Sequence, residues 1–226
     1  MGWLFERNTQ PVTAETALHG GTHPVLTDPQ PHAVLGTPIT GPWAATQRSV
    51  LIGMGCYWGA EKLFWNQPGV LSTSVGFAGG FTPHPTYREV CTGRTGHAEV
   101  VEVVYDPAQT TLAQLLAVAL EQHDPTQLNR QGNDVGTQYR SAIYTTGEDA
   151  AEDLQVAQQL VKTFGERLQA AGFGLITTEV RQLAETPAGE YYRAEDEHQQ
   201  YLAKNPEGYC PVHATGVRCS TDPTVN

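Results

Sequence analysis

From Ser49 onward the chain shows short apolar runs separated by glycine and proline. Val50, Leu51 and Ile52 have the length and composition of a buried strand. Helix formers follow at Ala60, Glu61, Lys62, Leu63 and Phe64, and Pro68-Gly69 stops them. A strand is predicted over Leu71 to Phe77, then a glycine- and proline-rich loop over Ala78 to Pro85. Thr86 and Glu89 have capping-box spacing for a short helix through Tyr87 to Cys91. Val100 to Tyr105 is β-branched and apolar, a buried strand headed by Glu99. Thr111 and Gln114 repeat the capping-box spacing before a helix whose Leu112, Leu115, Leu116 and Ala119 share one face, with Asp124-Pro125 closing it. After a polar loop over Thr126 to Gln138, a strand is predicted over Tyr139 to Tyr144. The longest helix spans Glu148 to Ala171 with Leu154, Ala157, Val161, Phe164 and Leu168 inward and Gly172 at its end. A strand over Leu175 to Val180 and a helix over Ala194 to Lys204 complete the series.

Strands alternate with helices and much coil remains, which predicts an α/β (α+β) fold with helices on a mixed sheet. The division expected is an extended arm over 1–48, an α/β domain over 49–204 and an irregular tail over 205–226. Pro11, Pro24, Pro29, Pro31, Pro38 and Pro42 bar a long helix or a central strand from the arm. One short helix near Thr13 to Leu18 is compatible with them, and the arm's histidines, His23 and His32 among them, read as scattered surface residues.

The 226 residues suffice for a sizeable core, and 39 % hydrophobic with 16 % charged residues fits a soluble globular protein. A formal net charge of −11 argues against a nucleic-acid partner. Met1 to Phe5 is too short for a signal peptide, Glu6 spoils a myristoylation signal, and no window has the length of a membrane span. The location expected is the cytoplasm. There, Cys56, Cys91, Cys210 and Cys219 are not expected to form a static disulfide framework. Without a C-x-x-C pair they are poor zinc ligands, and no metal or cofactor is expected.

Candidate chemistry centres on Gly53-Met54-Gly55-Cys56-Tyr57-Trp58-Gly59, where a strand gives way to a helix. Helix N-terminal N–H groups favour an anion, so the Cys56 thiol is expected to ionise more easily than a free cysteine. Spacing alone leaves two readings open, a nucleophile or a buried core cysteine. Glu99 alternates with Val101, Val103 and Tyr105 on one strand face, where a buried carboxyl is expected to have a raised pKa; the alternative is an edge-exposed glutamate without a role.

Gly55-Cys56-Tyr57-Trp58-Gly59 resembles the signature of the A-type peptide methionine sulfoxide reductases. The resemblance runs from about Ser49 to Cys219. It passes through Gly79-Gly80-Phe81-Thr82-Pro83, Tyr87-Arg88-Glu89-Val90-Cys91 and Gly96-His97-Ala98-Glu99. It continues through Gln131-Gly132-Asn133-Asp134, Gly136-Thr137-Gln138-Tyr139-Arg140-Ser141 and His198-Gln199-Gln200-Tyr201-Leu202. It implies a two-layer α–β sandwich wrapped by long coils, acting as a monomer on methionine S-sulfoxide, free or in proteins. In that pattern Cys56 attacks the sulfoxide sulfur, Glu99 gives the proton, and the Tyr87 and Tyr139 hydroxyls hold the oxygen. Asp134 organises the site through hydrogen bonds, and Tyr57, Trp58 and Tyr201 wall the slot for the S-methyl group. Cys210 resolves the sulfenic acid and Cys219 takes over the disulfide for thioredoxin or a similar dithiol; Cys91 is not catalytic. Two departures are visible: Tyr57 replaces the usual Phe, and Pro211 and His213 stiffen a tail that is often glycine-rich. The competing readings are a cysteine hydrolase using His97, His123 or His198, and a non-enzymatic redox or zinc-binding protein.

Overall fold

The structure, a computed structural model, describes residues 12–209 and 213–219. Eight strands and five α-helices are assigned among them: β1 (Arg48–Met54), α1 (Tyr57–Trp65), β2 (Val70–Ala78), α2 (Tyr87–Cys91), β3 (Ala98–Tyr105), α3 (Leu112–Glu121), β4 (Arg130–Gln131), β5 (Asp134–Val135), β6 (Ser141–Thr145), α4 (Ala150–Ala170), β7 (Glu179–Gln182), β8 (Tyr192–Arg193) and α5 (Tyr201–Lys204). Six strands form one sheet in the order β7-β6-β1-β3-β2-β8, while β4 and β5 make a small separate hairpin. Only β6 and β7 pair in parallel within the sheet, so it is mixed, as expected. No described helix is long and apolar enough to cross a membrane.

The pleat divides the central strands between two faces. Val50, Ile52, Val75, Phe77, Val101, Val103 and Ile143 join Phe64 of α1, Leu115 and Leu116 of α3 and Phe164 and Leu168 of α4 in the main core. Leu51, Val100, Ala142 and Tyr144 point the other way, against Leu183 and Tyr191. The arm closes part of this second face, where the Trp43 indole donates to Glu102 at 3.3 Å and Ile39 is buried. Helices thus cover one face, and coil with the arm covers the other.

Both capping boxes form: Thr86 with Glu89 and Thr111 with Gln114 each exchange two hydrogen bonds at the helix start. Four predicted elements fall elsewhere. Thr13 to Leu18 is a single turn, closed by Ala17 N–H to the Thr13 carbonyl at 2.9 Å. Tyr139 ends a 3₁₀ turn over Thr137–Tyr139 and does not begin a strand. The strand expected over Leu175 to Val180 lies at Glu179–Gln182, and Leu175 is exposed. The helix expected from Ala194 is a 3₁₀ turn over Asp196–His198 followed by α5. His32 is also corrected: its ring is buried and hydrogen-bonded to Thr73 at 2.8 Å.

Candidate active site

Cys56 caps α1, at the end of the turn leaving β1. That turn requires Gly55, whose φ is +93° and where a Cβ would lie 2.6 Å from Cβ of Gln131. The Trp58 and Gly59 N–H groups face the sulfur and favour its thiolate, as the helix N-terminus predicts. Burial opposes them and prevails, with the nearby Glu99 acting in the same sense, so the Cys56 thiol lies well above the ordinary cysteine range. This corrects the expected acidic thiol. Two hydrogen-bonding N–H groups do not repay the hydration lost in so enclosed a place.

Glu99 stands on β3, buried at 1 % exposure, and its Oε2 accepts from the Tyr57 N–H at 3.1 Å. Its Oε1 is buried and has no hydrogen-bond partner among the described residues. Burial drives the carboxyl up to about 8, helped by the charge of Asp134 and opposed by the Tyr57 N–H. At neutral pH Glu99 is therefore mainly a neutral acid with an unpartnered oxygen. Tyr87, Cys91, Asp134, Gln138 and Tyr139 line a neighbouring cavity of about 420 Å³. Both tyrosine hydroxyls are held in their protonated, donating form by burial first and by Glu99 second. Cys91 lines the same cavity and is pushed to about 11, mainly by burial.

Three rings form a wall at the start of α1, next to Tyr87. Trp58 stacks on Tyr201 with centroids 4.0 Å apart, and His198 lies 5.7 Å from Trp58 and 4.2 Å from Tyr87. The wall role expected for Tyr57 is corrected. That residue is 1 % exposed and packs 5.9 Å from Phe77 and 6.4 Å from Tyr87, so it backs the wall and offers no face of its own. His198 stands in the family motif and among the possible hydrolase bases, and nothing in its local sequence signals an aromatic contact.

His97 and His123 do not serve as a base for Cys56. Both nitrogens of each are hydrogen-bonded: His97 to Gly80 N–H and the Thr82 carbonyl, His123 to the Ala119 carbonyl and Ser141. Burial lowers each imidazole to about 4.

The tail returns to the same loop. The Tyr209 hydroxyl donates to Asp134 at 3.1 Å, and His213 packs so closely on Gly132 that a Cβ there would lie 2.1 Å from the ring. His213 and Cys56 line one small pocket with Gln131 and His123. Cys210 lies outside the described residues. Cys219 is docked on α3: its N–H donates to Glu121 at 2.6 Å, Arg218 pairs with the same carboxylate at 2.8 Å, and Arg167 donates to the Arg218 carbonyl at 3.2 Å. Burial, then Glu121, pushes its thiol to about 12.

Fold and site together define a cysteine-centred site whose proton-bearing neighbour is a carboxyl and not a histidine. Residues 48–223 match the family described as peptide methionine sulfoxide reductase, and the chain belongs to that family. It is 64 % identical over 219 residues to peptide methionine sulfoxide reductase MsrA of Corynebacterium diphtheriae, covering 97 % of this chain and 98 % of that one. The MsrA of Brucella melitensis is 52 % identical over 215 residues, 95 % of this chain and 94 % of its own. The solved structure of methionine sulfoxide reductase A of C. diphtheriae superposes with a TM-score of 0.86 at 63 % identity, covering 93 % of this chain and 98 % of that one. The reduced form of Mxr1 from Saccharomyces cerevisiae gives 0.66 at 33 % identity, over 76 % and 93 %.

Proposed function

We propose that this chain reduces methionine S-sulfoxide to methionine with Cys56 as nucleophile and Glu99 as proton donor. The observation that carries this is the hydrogen bond from the nucleophile's neighbour, Tyr57 N–H, to a buried and mainly neutral Glu99. Attack needs a thiolate, and oxygen departure needs an acid. One arrangement of a single proton meets both demands. When Cys56 and Glu99 together have lost one proton, the carboxylate form of Glu99 beside a Cys56 thiol predominates. Passing the thiol proton to Glu99 creates the reactive form, a thiolate stabilised by the Trp58 and Gly59 N–H groups beside a neutral acid. The sulfoxide oxygen would be held by Tyr87 and Tyr139, both hydrogen-bond donors at any physiological pH. The methyl group would rest on Trp58 and Tyr201.

Oxygen passes from the sulfoxide to Cys56. The substrate sulfur gains two electrons, Cys56 loses two, and methionine leaves a sulfenic acid behind. Cys210 is our resolving thiol: its S–H and the sulfenic acid give a disulfide and water. Tyr209 and His213, which flank it in sequence, both contact the Asp134 loop beside Cys56, and this supports the assignment. Cys219 would then take the disulfide and pass it to thioredoxin or another dithiol, which requires it to leave Glu121. Oxidised proteins and peptides are the substrates, the cytoplasm the place and a monomer the working form.

Reduced protein mixed with methionine S-sulfoxide, without external reductant, should yield methionine and lose free thiols in proportion. The Cys56→Ser variant should yield none, and turnover retained by that variant would remove Cys56 as nucleophile.

A further inference from the structure

Glu61 is fully buried and has no part in the chemistry above. It lies on α1 three residues beyond Trp58, and its carboxylate receives donors only. Gln200 N–H donates to Oε2 at 2.8 Å, while Gln200 Nε2 and the Thr73 hydroxyl donate to Oε1 at 2.8 and 3.1 Å. Gln200 needs such holding, because its φ of 47° and ψ of 40° are left-handed values that a residue with a Cβ rarely adopts. The residues on either side form the wall: Tyr201 follows and stacks on Trp58, and His198 precedes by two.

The same cluster reaches the arm. His32 Nδ1 accepts from the Val34 and Leu35 N–H groups, so in the neutral ring the proton is on Nε2, which donates to Thr73 Oγ1 at 2.8 Å. Thr73 then gives its own hydrogen to Glu61. A second link runs from Ala33 N–H to Gln200 Oε1 at 3.2 Å. Donor and acceptor directions agree at every step. His32 and Ala33 lie upstream of residues 48–223, the part that matches the family.

We propose that Glu61 is a positioning residue for the Trp58–Tyr201–His198 wall, and that the arm, through His32, Thr73 and Gln200, sets how tightly the sulfoxide is held. The inference rests on the reductase reading above. Cys56 and Glu99 are held by β1, α1 and β3, so loosening the 198–201 turn affects binding and leaves the chemical step intact.

The test is the single-turnover rate of methionine formation against the concentration of a methionine S-sulfoxide peptide, using reduced full-length protein. Glu61→Gln sets an amide hydrogen against at least one donor, and Thr73→Val removes the shared hydroxyl while keeping its shape. Each should raise the half-saturating concentration by up to about tenfold, the worth of one aromatic contact, with the maximal rate held within about twofold. Thr73→Ser should restore wild-type behaviour, and His32→Leu should raise half-saturation by about threefold. Hydrogen exchange over residues 198–204 should quicken in Glu61→Gln, Thr73→Val and His32→Leu. Wild-type half-saturation in Glu61→Gln and Thr73→Val overturns the positioning role, and in His32→Leu it overturns the arm's part. A fall confined to the maximal rate overturns both. If wild-type protein makes no methionine, the reductase reading fails, while hydrogen exchange still decides whether Glu61 holds the turn.

Discussion

Replacing Glu99 by Gln should cost the protein its acid and make it more stable, by an amount that depends on pH. The carboxyl titrates near 4.5 in the unfolded chain and near 8 when folded. Between those values the folded state keeps a proton that the unfolded state has released, so stability falls as pH rises through this window. Linkage gives a penalty of roughly 1 kcal/mol at pH 5, about 3 at pH 7 and about 4 at pH 8 from this one group. Gln carries no such penalty. Its amide oxygen can accept the Tyr57 N–H as Oε2 does, and Oε1 has no partner among the described residues to lose. At pH 7 the variant should therefore gain about 3 kcal/mol, or roughly 6–12 °C in Tm for a chain of this size. Urea titrations of both reduced proteins at pH 5, 7 and 8 would measure this directly. A stability difference that stays constant across these pH values, or reverses at pH 8, would refute the raised Glu99 pKa. The same variant should lose at least about a hundredfold in single-turnover rate, the usual worth of a general acid.

Other outcomes follow from the remaining groups. At low substrate the rate should climb up to about pH 8 as Cys56 and Glu99 together lose one proton, then level off; a flat profile from pH 6 to 9 would contradict that pairing. Cys210→Ser should leave a sulfenic acid on Cys56 that dimedone traps and mass spectrometry detects, whereas disulfide formation at the wild-type rate would exclude Cys210 as resolver. Without external reductant, wild-type protein should form about two methionines per chain and Cys219→Ser about one, because the relay frees Cys56 once. Equal yields would remove Cys219 from the relay.

Signals contained within a few residues were legible in the sequence. The two capping boxes, the apolar runs of β1, β2 and β3, and the glycine turn before Cys56 depend on neighbours in the chain, and they were read correctly. The mixed sheet followed from the alternation of elements. What escaped depends on distant partners. Leu175 and Ile176 look like a strand, yet pairing with β6 begins at Glu179, because an edge strand is located by the strand it joins. Gln199 and Gln200 interrupt the expected helix because their side chains serve Val75, Ala194 and Glu61, none of them adjacent in sequence. His32 looked like a surface residue because its partner, Thr73, is far along the chain. Among the site residues, Cys56 and Glu99 stood out by local pattern, whereas the positions of Tyr87, Tyr139 and Asp134 around one cavity came from tertiary folding. The burial that raises the Cys56 thiol lay beyond the sequence for the same reason, since a helix terminus is visible in sequence and the depth of enclosure is not.

That enclosure would make the proposed nucleophile selective. A neutral thiol reacts slowly with peroxides, alkylating agents and stray disulfides, all of which consume thiolates in proportion to their abundance. A thiol raised by burial, as both Cys56 and Cys219 are, should therefore react slowly with such electrophiles at rest. A protein that removes oxidative damage must survive among the oxidants that cause it. Sulfurs kept protonated until a fitting substrate arrives would let it do so.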